Sequence, residues 1–236
     1  MSVVMKNEKI AEEKAIDLMS ELEYKPEYFM ERGFSKKTID EFGGGFYLPS
    51  DWVVHQRSLI PIHDRNNDLV GFLGRSIHPR DKWTGGFFPK KFRPEKGTGQ
   101  WFTKWRSYPQ RILGGSLRAD LYNINRASRH IGESGSCVIV EGALDCWRVW
   151  ETGVKNVVAA IGIRLSKDNA RLLQDVGCKR LNIMLDGDAP GLRGAKAMSS
   201  KYESYFDEIK IIRIPDGKDP ADLTKKQLRK IKRQLI

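Results

Sequence analysis

Between residues 136 and 222 short apolar runs alternate with stretches of helical periodicity, and this alternation constrains the fold more than any other feature of the chain. Strands are expected over 137–142, 156–161, 181–186 and 209–214, and helices over 143–152, 167–176 and about 190–206. Ser166 is placed to cap the second of these helices and Gly177 to stop it. Strands that alternate with helices form a parallel, doubly wound α/β sheet, because a right-handed crossover brings each strand back beside its neighbour. Such sheets bind ligands outside the carboxyl ends of their strands.

Acids fall at those ends. The run Cys137-Val138-Ile139-Val140 leads into Glu141, and Leu181-Asn182-Ile183-Met184-Leu185 leads into Asp186-Gly187-Asp188. In an Asp-x-Asp segment of extended backbone both carboxylates project to one side and can share a hard, oxygen-seeking cation. Glu141 on a neighbouring strand can complete the set. Unneutralised carboxylates at close quarters repel, and a divalent ion removes that cost while orienting phosphate oxygens. Asp145 lies one helical turn beyond Glu141 and can reach the same crevice. The last strand ends in a third acidic group, Asp216-Gly217-Lys218-Asp219-Pro220-Ala221-Asp222, in which Asp219 and Asp222 can hold a second ion or order a nucleotide. Asp145 and Asp219 have an alternative role as helix caps.

The net charge of +11 is unevenly spread. It is −4 over 1–51, +10 over 52–130, −1 over 131–222 and +6 over 223–236. The basic 52–130 stretch interleaves its cations with rings, among them Trp52, Trp83, Phe87, Phe88, Trp101 and Trp105. Cations for phosphates and flat rings for bases suit single-stranded nucleic acid, although some rings must belong to a core and a solvated basic face is the alternative. Cys137, Cys146 and Cys178 form no C-x-x-C pair and His55, His63, His78 and His130 are scattered, so no zinc site is expected; the thiols read as buried in a reducing cytosol. No apolar run approaches the length a bilayer requires, and Met1-Ser2-Val3-Val4 opens no signal peptide, so a cytoplasmic protein without a membrane partner is expected.

Upstream, an amphipathic helix is expected over 8–23, a short one after Pro26 that ends at Gly33, and a third capped by Ser35 and running through Phe42. Their acidic balance favours packing over a DNA-reading helix-turn-helix. Apolar runs at 59–62 and 69–74, joined by His63-Asp64-Arg65-Asn66-Asn67-Asp68, read as a hairpin, and 82–115 as long loops around short strands. A basic helix follows Thr224.

Four motifs taken in order, Glu141-Gly142-Ala143-Leu144-Asp145, Asn156 to Gly162, Asp186-Gly187-Asp188-Ala189-Pro190-Gly191 and Gly217-Lys218-Asp219-Pro220, resemble the Toprim domain shared by bacterial-type primases, topoisomerases and some nucleases. Arg57-Ser58-Leu59-Ile60-Pro61-Ile62-His63-Asp64-Arg65, followed by Leu69-Val70-Gly71-Phe72-Leu73-Gly74-Arg75, is similar to the basic N-terminal subdomain of the RNA polymerase core in DnaG-like primases. Arg32 to Ile39 is similar to the helical lead-in of those cores, and Leu121-Tyr122-Asn123 resembles their Leu-Tyr-Gly. The chain departs from the pattern at Lys91-Phe92-Arg93-Pro94, where the family has Lys-Tyr-Leu-Asn. It departs again at Leu117-Arg118, where the family has Lys, and at Asp219-Pro220-Ala221-Asp222, where it has Asp-Pro-Asp.

The resemblance implies a helical lead-in over 1–51, a smaller basic α+β subdomain over 52–130, a Toprim domain over 131–222 and a basic helix over 223–236. It implies a minimal primase core without the zinc-binding and helicase-binding domains, phage-like in depending on a replicative helicase or a separate template-recognition protein, and working in a host cytoplasm if viral. Its reaction would be primer synthesis in DNA replication from ribonucleoside triphosphates on a single-stranded DNA template, with Mg²⁺ or Mn²⁺. Glu141, Asp186 and Asp188 would be catalytic and would bind the metal, with Asp145, Asp219 and Asp222 as further metal ligands. Arg57, Arg75, Lys90, Lys91, Arg93 and Arg118 would bind nucleotide or template, since a guanidinium fork suits phosphate, although each can equally be a surface cation. The alternatives are a Toprim-type metal-dependent nuclease, with water as attacker, and a non-catalytic DNA-binding replication accessory.

Overall fold

The computed structural model describes residues 22–48, 57–77, 105–109 and 121–235; of these, 22–48, 57–62, 69–77 and 105–109 belong to one compact unit, and 63–68 with 121–235 to another. The first unit holds an antiparallel sheet of five strands in sequential order, β1 (Glu23–Tyr24), β2 (Phe46–Leu48), β3 (Arg57–His63), β4 (Leu69–Ser76) and β5 (Trp105–Pro109). Helices α1 (Glu27–Glu31) and α2 (Lys36–Glu41) lie between β1 and β2. Both follow from local chemistry. Pro26 stands at the N-cap of α1, Gly33 turns the chain at φ +80, and the Ser35 hydroxyl accepts from Thr38 N at 3.2 Å to start α2. Phe29, Phe34, Ile39 and Phe42 from this segment are buried, as are Leu59, Ile60, Phe72 and Leu73 of the hairpin. Asp64 organises the hairpin loop, accepting from Asn66 N at 2.8 Å and Asp68 N at 3.0 Å, and Asn67 takes φ +72.

Of the helix expected over 8–23 only the last two residues are described, and Glu23 is already in β1. Strands β1 and β2 were not foreseen. They are too short to show a period of two, and the pairing of Phe46 with Leu59 is decided by tertiary contact.

The second unit is built on a parallel sheet of four strands in the order β7-β6-β8-β9: β6 (Ser136–Val140), β7 (Val157–Ala159), β8 (Arg180–Ile183) and β9 (Glu208–Ile211). Helices α3 (Ile124–Ser134), α4 (Ala143–Trp150), α5 (Lys167–Asp175), α6 (Ala189–Tyr202) and α7 (Lys225–Leu235) accompany it. Every residue of β6 is buried, as the continuous apolar run of a central strand requires. Ile139, Val158, Leu181 and Ile183 meet Ile124, Ile131, Leu173, Met198 and Tyr202 from the helices in one core, and Cys137, Cys146 and Cys178 are buried free thiols. Ser166 accepts from Asn169 N at 3.0 Å and Gly177 turns at φ +91, so α5 begins and ends where its punctuation places it.

Helix α3 crosses the expected boundary at residue 130 and lies wholly in the second unit, as does α7. Its buried stripe of Ile124, Ala127 and Ile131 has the i, i+3, i+7 spacing of an amphipathic helix. Asn123, just before it, has φ +70 and its amide donates to the Val157 carbonyl at 2.9 Å. A left-handed residue there explains why Asn stands where the family pattern has Gly. Tyr122 exchanges both backbone hydrogen bonds with Ala159, extending the sheet beyond β7, and its buried hydroxyl accepts from Trp147 Nε1 at 2.7 Å. Among the described residues no helix is long and apolar enough to cross a membrane.

Candidate active site

Strand β6 comes first in the chain, yet β7 lies on one side of it and β8 on the other. The sheet therefore reverses its winding between β6 and β8, and crossovers leave this point in opposite directions, which opens a crevice at the carboxyl ends. Glu141 follows β6 directly and Asp186 follows β8 by three residues, so the two acids flank the reversal. Both stand just past the strands rather than in their last positions, because ladder pairing stops at Val140 and Ile183.

The third acidic segment is bound to the other two through backbone. Gly187 N donates to the Lys218 carbonyl at 2.8 Å and Gly217 N to the Gly187 carbonyl at 3.0 Å. Asp145 is buried, and its two oxygens accept from Gly142 N and from Ala221 N, each at 2.9 Å. Arg148, one turn further along α4, donates from Nε to the Ala221 carbonyl at 3.0 Å. Helix α4 thus grips both ends of one residue in the 3-10 turn Pro220–Asp222, and Asp219 is held at the start of that turn with no capping bond of its own. Asp188 caps α6 by accepting from Gly191 N at 2.7 Å. Asp222 is exposed on the turn.

These placements explain the electrostatics. Burial, and then the fields of Asp145, Glu141, Asp219 and Asp188, push the Asp186 carboxyl up to about 8. Burial likewise pushes Asp145 up to about 7, with Asp219 and Glu141 adding to it and the N–H donors of Ala221 and Gly142 pulling against it. Among the described residues no three acidic, histidine or cysteine side chains are already drawn together as a coordination set. The carboxylates are neighbours through their fields. A divalent cation fits this site on the chemistry of its donors. All are hard oxygens, and Asp186 Oδ1 is buried with no hydrogen-bond partner. Beside Asp186 and Asp188 lies a cleft of about 470 Å³, walled by Leu185, Leu192 and Ile214 with Arg213 and Asp216, a size that accepts a nucleotide.

The basic residues fare differently. Arg57 is 2% exposed and donates to the Gly74 carbonyl at 3.1 Å, and Arg75 is 5% exposed with its Nε on the Tyr28 hydroxyl at 2.8 Å. Arg57, fastened across the hairpin, acts in holding β3 and β4. Lys90, Lys91, Arg93 and Arg118 lie outside the described residues. Sequence reasoning missed Arg148, although its spacing of three from Asp145 on one helix places both on one face. It also missed Ile161. That β-branched residue has φ +50 and is exposed, and its neighbour Gly162 donates to the Glu141 carbonyl at 3.0 Å. A branched side chain in the left-handed region is strained by about 1–2 kcal/mol.

Two outcomes follow. Ile161→Gly should relieve that strain and raise the melting temperature by about 2–4 °C in a thermal scan; a lowered midpoint would show that the Ile161 side chain supports the fold. Asp145→Ala should leave two backbone donors without acceptors and cost about 1–3 kcal/mol. Hydrogen exchange at the Ala221 amide should then accelerate more than at amides of β6, and equal protection at both would dismiss the grip on the turn.

Comparison with known proteins places these features in a family. Residues 138–224 match the family described as Toprim-like. A DNA primase of Clostridium acetobutylicum is 31% identical over 237 residues, a match that takes in 84% of this chain and 35% of that protein. The zinc-binding and RNA polymerase domains of the Aquifex aeolicus primase superpose with a TM-score of 0.69 at 25% identity, over 89% of this chain and 54% of that one. A DnaG primase catalytic domain bound to single-stranded DNA superposes with a TM-score of 0.64 at 20% identity, over 89% and 71%. The chain spans about a third of the length of the curated relatives it matches.

Proposed function

From the premise that this chain belongs to the DnaG-type primase RNA polymerase domains with a Toprim region, we propose that it synthesises short RNA primers on single-stranded DNA by metal-dependent nucleotidyl transfer. The observation that carries this reading is the reversal of the sheet between β6 and β8, which sets Glu141 and a buried, unpartnered Asp186 oxygen on the two sides of one crevice. Glu141, Asp186 and Asp188 are the catalytic acids and hold the first ion. Asp219 and Asp222 hold a second ion or order the triphosphate, and Asp145 positions them through Ala221 as well as adding its charge. Toprim domains use a divalent metal, and Mg²⁺ or Mn²⁺ is the ion that suits an all-oxygen site. When bound it supplies charge neutralisation to the attacking 3′-hydroxyl, the α-phosphate and the leaving pyrophosphate.

The carboxylates orient those groups for in-line displacement, and no protein nucleophile is needed. The cleft beside Asp186 and Asp188 receives the nucleotide, with Arg213 on its wall. Arg75, with Lys90, Lys91, Arg93 and Arg118 from outside the described residues, supplies phosphate and template contacts. Ribonucleoside triphosphates, a single-stranded template and a helicase or template-recognition partner complete the reaction, in the cytoplasm of the cell or host.

The test is an incubation of the protein with single-stranded DNA, labelled ribonucleotides and Mg²⁺ or Mn²⁺. Short labelled RNA is the expected product. Degraded template would instead identify a nuclease, and a retarded but unaltered template a non-catalytic accessory.

A further inference from the structure

Helix α7, Lys225-Lys226-Gln227-Leu228-Arg229-Lys230-Ile231-Lys232-Arg233-Gln234-Leu235, holds six cations and no acid. Its two faces are sharply divided. Leu228, Ile231 and Leu235 are buried, whereas Lys226, Arg229, Lys230 and Arg233 are all exposed at the i, i+3, i+4, i+7 spacing of a single stripe. The helix is fixed in place. Lys232 donates to the Thr152 carbonyl at the end of α4 at 2.9 Å, and Lys210 of β9 donates to the Gln234 carbonyl at 3.2 Å. At its start Thr224 and Gln227 close a cap, five residues after Asp219.

Such a stripe is unfavourable for the isolated helix. Lys226 faces Lys230 and Arg229 faces Arg233 at i,i+4, where like charges destabilise and a Glu would have stabilised. None of the ion pairs among the described residues involves the helix. A rigid row of cations with no internal counter-charge is complementary to a polyanion. Lys226 to Arg233 spans about 10 Å, the axial length of about three phosphates of one nucleic-acid strand. We infer that the exposed face of α7 is a nucleic-acid backbone site, binding sugar-phosphate without regard to sequence. The helix begins three residues after the acidic turn Pro220–Asp222 ends. The site does not rest on the polymerase reading, since a nuclease or an accessory would use it equally.

The test replaces Lys226, Arg229, Lys230 and Arg233 by Gln in the full chain and follows a fluorescently labelled single-stranded oligodeoxynucleotide by anisotropy between 50 and 200 mM NaCl. About three lost phosphate contacts at about 0.7 each should lower the slope of log K against log [salt] by about 2. Circular dichroism should show the helix retained and the melting point no lower, because repulsion has been removed. A slope equal to that of the unaltered protein overturns the inference, and so does tighter binding of the unaltered protein to phosphatidylserine vesicles than to the oligonucleotide. Should the fourfold variant not fold, Lys226→Gln with Lys230→Gln carries the test with an expected drop of about 1, while Lys226→Arg with Lys230→Arg should keep the full slope. Primer synthesis is not the readout, so an inactive protein with a salt-sensitive stripe and an active one without it remain distinguishable.

Discussion

Asp186→Asn is expected to reduce ribonucleotide incorporation by about 10²–10³-fold or more, as removal of one strong electrostatic group from a reaction centre does, while single-strand binding is kept. The same change should stabilise the protein in the absence of divalent metal. Asp186 titrates at about 8 in the fold against an ordinary value of 3.8. Between those values the native state holds a proton that the unfolded chain has lost, so the contribution of this group to stability is full below about pH 4 and is lost as pH rises toward 8. Asp145, raised to about 7, acts in the same direction. The metal-free protein should therefore melt lower at pH 8 than at pH 5.5. Asp186→Asn should flatten that dependence, and millimolar Mg²⁺ should raise the midpoint more at pH 8 than at pH 5.5. A midpoint indifferent to pH and to Mg²⁺ across this window would refute the acid cluster as a cation site, and full activity in Asp186→Asn would refute its catalytic role.

Gly191→Ala and Gly187→Ala should each cost about 1–3 kcal/mol and remove activity with it. A Cβ on Gly191 would stand 2.2 Å from the Asp186 carbonyl oxygen, and one on Gly187 would stand 2.3 Å from the Pro215 carbonyl oxygen. Both obstacles are backbone, so no rotamer change can yield. The start of α6 must move away from the 186–188 loop in the first case, loosening the Asp188 cap on Gly191 N. In the second, the loop must part from Pro215, whose neighbours Gly217 and Lys218 hydrogen-bond to Gly187. Gly135→Ala is the contrasting control, since a Cβ there meets nothing within 4 Å although φ is +62. It should be mildly destabilising without loss of activity. Chemical denaturation and the primer assay on all three variants would separate backbone collision from left-handed strain. Wild-type activity in Gly191→Ala would mean that the spacing of Asp186 and Asp188 is not critical.

Much of the second unit could be read before any coordinates, because its signals are local. A buried parallel strand is an apolar run, and a helix has its cap and stop within a few residues, as Ser166 and Gly177 show for α5. The first unit was less legible. Strands of two and three residues carry no periodicity, and β2 exists because β3 pairs with it. Arg57 illustrates a different failure. A cation in a basic stretch is expected at the surface, but this one is 2% exposed with its guanidinium on a carbonyl 17 residues away.

The acids themselves were legible as acids at strand ends; their division of labour was not. Asp145 belongs to Ala221 through a bond across 76 residues, and Arg148 completes that grip across 73. Nothing in the local pattern around Asp145 distinguishes a metal ligand from a carboxylate that holds a distant turn.

Alternation of apolar runs and amphipathic helices, with carboxylates at the ends of the runs, was written in the chain, because the tendency to form each element is a property of neighbouring residues. Which strands lie side by side was not. The order β7-β6-β8-β9 seats Glu141 next to Asp186, though 45 positions separate them, and that adjacency arises only when hydrogen bonding and burial choose among all the ways the same four strands could pair.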